Sequence, residues 1–383
     1  MSFIGWPTVT GLLVALLAIQ QFPQLLGEAR PDNRSQFSLS SLTPADNDWE
    51  GPTSYAAAVQ RATPSVVNIY TRTRLKSRRH PLFDDPLFRH FFNNSAQPQQ
   101  ERMQSALGSG VIIDSDGYLL TNNHVIEGAD EILVLLTDGR EARANLIGTD
   151  PDTDLAVLKI NLSGLTAIGV GMPERAQVGD VVLAIGNPFG VGQTVTQGIV
   201  SATGRYGLGL NTYENFIQTD AAINPGNSGG ALVDAYGNLL GINTAILDQR
   251  NTASAVGIGF AIPAEIAIET LKDIVKYGRV VRGWLGIEAQ QLTPRLARSF
   301  NLSSTNGVVI TAIYSNGPAH KAGLKPGDII TRINSEPVGD GRRSMTQIAQ
   351  SRPGESVAIE VLRDGEPQTI NAELGAKPPA RTS

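Results

Sequence analysis

The chain is 383 residues long, with 31 basic against 36 acidic side chains, a net charge of −5 and no cysteine. That length predicts two or three domains. The mild acidity gives no electrostatic case for nucleic acid, and the absence of cysteine excludes disulfide, thiol and Cys–metal chemistry. From Ser2 to Gly27 no side chain is charged, and Gly11 to Ile19 is densely apolar. About 20 apolar residues span a bilayer, a length this stretch reaches by including Gln20, Gln21 and Pro23. The alternative is a cleaved signal peptide, which needs a basic leader and a small-x-small cleavage site. No Lys or Arg precedes Arg30, and Ile19-Gln20-Gln21-Phe22 is a poor cut site. The expectation is an uncleaved membrane anchor over 1–27 and a polar, flexible tether over 28–52.

A larger domain is expected over 53–281. Tyr55 to Ala62 reads as a short helix and Val66 to Thr71 as the first strand. Arg72 to Leu107 reads as a long charged insertion containing His80 and His90; a loop of that length is usually functional or disordered. From Gly108 to Ile262, short strand patterns recur between Gly, Asp and Asn turns: 110–113, 131–136, 181–185, 198–201 and 257–262. That punctuation predicts an all-β domain of two barrels. Residues 263–277 read as an amphipathic linking helix.

The chemistry concentrates at Asn224-Pro225-Gly226-Asn227-Ser228-Gly229-Gly230. Glycines around a serine permit a tight turn and let a substrate carbonyl approach main-chain N–H groups. Gly226-x-Ser228-x-Gly230 also matches the nucleophile elbow of α/β-hydrolases, but that motif needs a following helix and a later histidine. Here a hairpin pattern follows, and the one later histidine, His320, lies in a separate module. The base is therefore sought upstream. His124, in Thr121-Asn122-Asn123-His124-Val125, ends a strand at a polar turn, whereas His80 and His90 lie in the charged insertion. The acid that would orient its imidazole comes from Asp150-Pro151-Asp152-Thr153-Asp154. Asp154 directly precedes an apolar strand, and Asp152 is the runner-up. A calcium loop would need glycine and glutamate at its sixth and twelfth positions, where this chain has Leu155 and Asn161.

The order His124, Asp154, Ser228 is that of the chymotrypsin-type proteases, and the three blocks resemble those of the HtrA (Deg) serine proteases from about Ser54 to Leu374. The resemblance implies attack by Ser228, proton transfer through His124, orientation by Asp154, and an oxyanion hole in the Gly226-Asn227-Ser228 turn, from the N–H groups of Gly226 and Ser228. Asn227 stands where digestive relatives carry an acid that pairs with a newly cut N-terminus, so activation by propeptide cleavage is not expected. Ala222, six residues before Ser228, leaves the base of the specificity pocket without a carboxylate and predicts cleavage after small or medium apolar residues. No cofactor or metal is called for, and no ATP-binding Gly-x-x-x-x-Gly-Lys-Ser/Thr is present.

Residues 282–375 form a second expected domain, followed by a tail over 376–383. Arg282-Gly283-Trp284-Leu285-Gly286-Ile287 and Gly323-Leu324-x-x-Gly327-Asp328-x-Ile330 resemble a PDZ domain, which captures peptides by strand addition. The resemblance implies a peptide site at Trp284, Leu285, Gly286 and Ile287, where the backbone N–H groups of Leu285, Gly286 and Ile287 take a C-terminal carboxylate, with Met345 and Ile348 lining the pocket for the last side chain. The alternative for that pair is core packing.

One PDZ domain behind an anchor resembles the DegS/AlgW type of the family. That implies an inner-membrane, single-pass stress sensor with both domains in the periplasm and a trimeric assembly. C-terminal peptides of misfolded outer-membrane proteins would be the activators, a membrane-bound anti-sigma factor the substrate, and Arg205 and Tyr206 a regulatory loop. In some relatives such an arginine pairs with an acid on the PDZ helix; the corresponding residue here is Thr346, so the resemblance does not supply that latch. The alternatives are a general periplasmic degrader of unfolded proteins and a non-catalytic PDZ scaffold. The scaffold predicts loss of a triad residue, and all three are present.

Overall fold

The computed structural model describes residues 5–21, 54–75, 102–187, 192–246, 257–300, 302 and 304–378. His80 and His90 lie outside them. The chain divides into two units, 1–52 and 53–383. In the first, Trp6–Gln21 is a 16-residue helix with Leu12, Leu13, Val14 and Leu16 exposed. At 1.5 Å per residue it is about 24 Å long, short of the roughly 30 Å hydrocarbon core. Among the described residues no helix is long and apolar enough to cross a membrane.

The second unit begins with the helix Ala56–Ala62, which packs Ala58 and Ala62 into the main core. Seven strands then form an antiparallel sheet: β1 (Val66–Leu75), β2 (Arg102–Ile112), β3 (Tyr118–Thr121), β4 (Glu131–Leu135), β5 (Glu141–Arg143), β6 (Asn145–Asp150) and β7 (Leu155–Lys159). Their order is β5-β4-β1-β2-β3-β7-β6. The charged insertion is shorter than its composition suggests. β1 and β2 stay in register from Val66↔Val111 out to Leu75↔Arg102, so 72–75 and 102–107 are paired strand rather than loop. Ladder hydrogen bonds overrode a charged composition there.

Six further strands close a barrel in the order β10-β13-β12-β11-β8-β9. They are β8 (Val181–Gly186), β9 (Thr194–Arg205), β10 (Phe216–Thr219), β11 (Ala231–Asp234), β12 (Leu239–Ile246) and β13 (Gly259–Pro263). β7 and β8 read as runs of apolar residues because both of their faces are covered. The helix Ala264–Tyr277 follows β13, ends on Gly278 at φ +73° and buries Ala267 and Ile274 in the same core as Phe216 and Phe260.

The C-terminal part has its own core around Leu285, Ile310, Ile330, Ile359 and Val361. β14 (Gly283–Trp284) pairs with β21 (Gly375–Ala376). β15 (Ile287–Gln291), β16 (Val308–Ile313), β17 (Ile329–Ile333), β19 (Ser356–Arg363) and β20 (Glu366–Glu373) form a sheet, with β18 (Glu336–Pro337) on β17. β15 is an edge strand, and the helix Gly341–Gln350 packs beside it.

Candidate active site

His124 sits in a one-turn helix, Asn123–Ile126, where the sequence suggested a polar turn. Asp154 faces it from the turn before β7. The His124 backbone N–H donates to Asp154 Oδ1 at 2.9 Å, and His124 Nδ1 lies 2.7 Å from Oδ2. Asp154 adopts φ +60°, a left-handed conformation that costs a non-glycine residue about 1–3 kcal/mol and persists only where its surroundings hold it. They do so here: its carbonyl accepts Asn123 N–H at 3.1 Å and Asn122 Nδ2 at 3.0 Å. Asn122 is fully buried, and its Oδ1 has no partner.

Thr244 on β12 bridges the two halves of the site. Its Oγ1 donates to Asp154 Oδ2 at 3.0 Å, and its carbonyl accepts the Ser228 hydroxyl at 3.0 Å. In this arrangement the serine proton points to Thr244, and no hydrogen bond joins Ser228 to His124; transfer to the imidazole requires a side-chain rotation. Thr244 was not legible in the sequence, because only closure of the barrel brings β12 under both Asp154 and Ser228.

The Ser228 turn is held on every side. Pro225 and Gly226 are the centre of a turn closed by Asn227 N–H to Asn224 O at 3.1 Å. Gly226, at φ +109°, supplies the positive φ that such a turn needs at its third position. Ser109 on β2 clamps the turn: its hydroxyl donates to Gly226 O at 2.7 Å and accepts Asn187 N–H at 2.9 Å, and its N–H donates to Ser228 O at 2.9 Å. The Asn227 carbonyl accepts Gly230 N–H at 3.0 Å. The peptide groups on both sides of Asn227 are thereby fixed, while the N–H groups of Gly226 and Ser228 donate to no acceptor among the described residues. Two such N–H groups beside a serine hydroxyl are what an oxyanion requires. Ala222 is exposed, and its carbonyl accepts Thr196 Oγ1 at 2.9 Å.

A second site lies on the C-terminal domain. A groove of about 740 Å³ runs between β15 and the helix Gly341–Gln350, bounded by Trp284, Leu285, Gly286, Ile287, Met345 and Ile348. The Leu285 and Gly286 carbonyls are held from behind by Ala319 and Tyr314 N–H at 2.8 and 3.0 Å. Trp284 meets Tyr314 edge-on at 5.3 Å. Met345 is half exposed at the rim, whereas Ile348 is buried at 9%, so the sequence-predicted pair is part pocket and part core. Thr212 and Tyr213, from the protease side, line the same groove, as does Lys377.

The groove wall is continuous with the Asp154 segment. Tyr213 N–H donates to Asp152 O at 3.0 Å, and Asn211 Nδ2 to Thr153 O at 3.0 Å. Glu214, buried at 5%, staples this loop by accepting N–H groups of Leu208, Leu210 and Asn211 at 2.7, 2.6 and 3.2 Å. Thr346 Oγ1 donates to Glu214 O at 3.4 Å; the helix therefore touches the loop through a neutral contact. Arg205 Nε donates instead to Gln218 at 2.9 Å. Tyr206 is half buried, and burial pushes its hydroxyl above its ordinary pKa, against the opposing charge of Arg343.

Arg282, at the start of the second domain, is paired with Asp150 through both terminal nitrogens, one at 2.9 Å. Its guanidinium lies 4.8 Å from the Tyr213 ring, and Lys377 Nζ lies 4.9 Å from that ring. Lys377 also pairs with Asp152 at 2.8 Å. Burial works against the charge on Asp152, but Lys377, Thr212 and Arg282 together outweigh it, and the carboxyl is held below its usual value. Burial likewise opposes the charge on Lys377, and Asp152 and Tyr213 carry its pKa upward. Asp150 and Arg282 fall inside motifs noted in the sequence and Lys377 in none, but no local pattern shows that the three meet around Tyr213.

The site and fold together define a trypsin-like serine endopeptidase joined to one PDZ domain. The trypsin-like peptidase domain family matches residues 108–242 and the PDZ domain family residues 283–374. The chain is 40% identical to the serine endoprotease DegS of Escherichia coli over 370 residues, 96% of each chain. It is 42% identical to a probable periplasmic serine endoprotease, DegP-like, of Pseudomonas putida over 339 residues, 85% of this chain and 70% of the other. Among solved structures it resembles the HtrA-type protease AlgW with decapeptide, with 56% identity, a TM-score of 0.71, and coverage of 85% and 99% of the two chains. A serine endoprotease from Yersinia pestis is 39% identical with a TM-score of 0.61, covering 86% of this chain and 100% of that one. The chain belongs to the HtrA family of serine endoproteases.

Proposed function

We propose that the protein is a peptide-gated serine endopeptidase of the bacterial envelope. Ser228 attacks the substrate carbonyl, His124 takes its proton and passes it to the leaving amine, and Asp154 keeps the imidazole oriented. The N–H groups of Gly226 and Ser228 hold the oxyanion, each worth about 3–4 kcal/mol in the transition state. The open, uncharged Ala222 position favours substrates with small or medium apolar residues before the scissile bond.

In this reading the groove between β15 and the helix Gly341–Gln350 takes a hydrophobic C-terminal peptide by strand addition, with Arg205 and Tyr206 in the responding loop. The observation that carries it is the double role of the segment 211–213: Thr212 and Tyr213 line the groove, while Tyr213 and Asn211 bond to the backbone carbonyls of Asp152 and Thr153 beside Asp154. By analogy with DegS and AlgW, the activators are exposed C-termini of misfolded outer-membrane proteins, and the substrate is a membrane-bound anti-sigma factor. The protein would then act in the periplasm as a trimer, held at the inner membrane by its apolar N-terminus.

The test uses the full-length protein in detergent, with Ser228→Ala as control. Cleavage of unfolded casein and of a membrane-anchored regulator's periplasmic region is followed with and without a hydrophobic peptide bearing a free or an amidated C-terminus. Free-acid peptide stimulating cleavage of the regulator alone is the expected result. Rapid casein degradation without peptide would instead support a general degrader.

A further inference from the structure

We infer that the side chain of Asn227 is the brace that holds the oxyanion turn in its working shape, a neutral replacement for an ion pair. This rests on the reading of Ser228 as nucleophile. Asn227 is 1% exposed, and both ends of its amide are used within the turn. Oδ1 accepts Asn224 N–H at 3.0 Å, and Nδ2 donates to Ala222 O at 3.3 Å. The amide thus ties Ala222, ahead of the turn, and Asn224, its first residue, to the residue between the two free N–H groups. Thr196 Oγ1 adds a second donor to the same Ala222 carbonyl, so the brace also reaches the specificity position.

The surroundings fit a built contact. β8 ends in Gly186, where an added Cβ would lie 2.4 Å from Asn227 Cβ; the absent side chain makes the room that Asn227 occupies. The groups bonded to the amide, the Asn224 N–H and the Ala222 carbonyl, are uncharged. The charged groups on the neighbouring elements are engaged elsewhere: Asp220 accepts Ile199 N–H at 2.7 Å, Arg205 on β9 donates to Gln218, Asp234 on β11 accepts Tyr236 and Asn238 N–H, and His124 pairs with Asp154.

An amide can donate and accept at once, and an ionised carboxylate can only accept. Asn227→Asp therefore makes a specific prediction. When ionised, one oxygen would still accept Asn224 N–H, but the other would face the Ala222 carbonyl, acceptor against acceptor, in a buried site. When protonated, the carboxyl reproduces the amide's pattern, donating to Ala222 O. Burial without a cation raises a carboxyl's pKa, so the protonated form persists into the working range. Asn227 is a positioning residue, acting through the N–H groups beside it.

The test measures the rate at which a fluorophosphonate probe labels the full-length protein between about pH 5.5 and 8.5. Wild type, Asn227→Asp, Asn227→Ala and Ser228→Ala are compared, each checked for folding by its melting transition. The ratio of Asn227→Asp to wild type divides out the titration of the base that both share. It is expected to be highest at the acid end and to fall as pH rises. Asn227→Ala is expected to be slow throughout, on the order of 10²-fold, as for a misplaced catalytic group, with a ratio that does not change with pH. Recovery of Asn227→Asp at the acid end would also show that the variant folds. A ratio for Asn227→Asp that is flat across the range, or Asn227→Ala labelling at the wild-type rate, overturns the brace. If Ser228→Ala still labels, the assignment of the nucleophile fails, and the brace falls with it.

Discussion

The ion pair between Arg282 and Asp150 joins the two domains with little help from water, since the side chains are 10% and 5% exposed. Removing one partner of a buried pair costs about 3–5 kcal/mol, because the other is left charged and unpaired. Arg282→Met belongs in that range: Asp150 would retain only the Thr153 hydroxyl. Asp150→Asn should cost less, since Arg282 keeps Asp152 at 3.9 Å and the face of Tyr213. The double variant removes both charges and should recover much of the loss, as replacing a buried pair by neutral groups is often close to neutral. Urea unfolding followed by Trp284 fluorescence gives the four free energies of the cycle. Peptide-stimulated cleavage should fall with the single variants in the same order. Single variants costing under about 1 kcal/mol, and adding in the double, would show that the pair is only a surface contact and would refute the reasoning.

Thr244→Val removes the donor to Asp154 but leaves the carbonyl that Ser228 uses; losing a hydrogen bond to a charged group, worth about 1.5–3 kcal/mol, should lower kcat roughly tenfold to a hundredfold with little change in KM. The Lys377–Asp152 pair should show in the pH dependence of stability. Asp152 has a lowered folded pKa, so its contribution is present above its unfolded value near 3.9 and is lost as pH falls through the lowered one. Lys377 has a raised folded pKa, so its contribution is full below its unfolded value near 10.4 and is lost as pH rises through the raised one. Melting of Lys377→Met against wild type should differ most between those limits and converge at either extreme. Because the two side chains are 36% and 32% exposed, the gap should be only about 0–1 kcal/mol. Gly186→Ala should abolish fluorophosphonate labelling while leaving peptide affinity for the PDZ groove intact, because its Cβ would collide with Asn227; normal labelling would show that the turn yields freely.

The candidate reactive residues could be picked out of the sequence because each lies in a short pattern with a local cause. Ser228 sits among glycines that a tight turn demands, His124 follows closely on a strand, and Asp154 precedes a mostly apolar one. The residues that support them were not legible. Ser109 is an unremarked serine in a strand, yet it clamps the carbonyls of Gly226 and Ser228. Thr244 and Asn122 read as ordinary polar residues until the strands close around Asp154. The same limit applies between domains: Asp150 looked like a third-choice acid in a calcium-like run, and its true partner lies 132 positions away. The extension of β1 and β2 was missed because pairing between strands, which composition does not report, stabilises charged segments.

Asp154 is held from two directions whose origins differ. The protease core fixes its carboxylate through His124 and Thr244, while the residues just before it bond to Tyr213 and Asn211 of a loop that the PDZ helix touches. Its left-handed backbone, at φ +60°, stores strain of about 1–3 kcal/mol. A coupling free energy of about 1–3 kcal/mol corresponds to a 5–150-fold change in an equilibrium. A peptide in the groove thus needs no contact with the triad. Moving Tyr213 and its two cations by enough to strengthen or weaken the grip on Asp152 and Thr153 would change how often Asp154 is in place. Ser228, whose proton now points to Thr244, needs only a side-chain rotation to meet an imidazole so positioned. The proposed gate can therefore be small in energy and still large in effect.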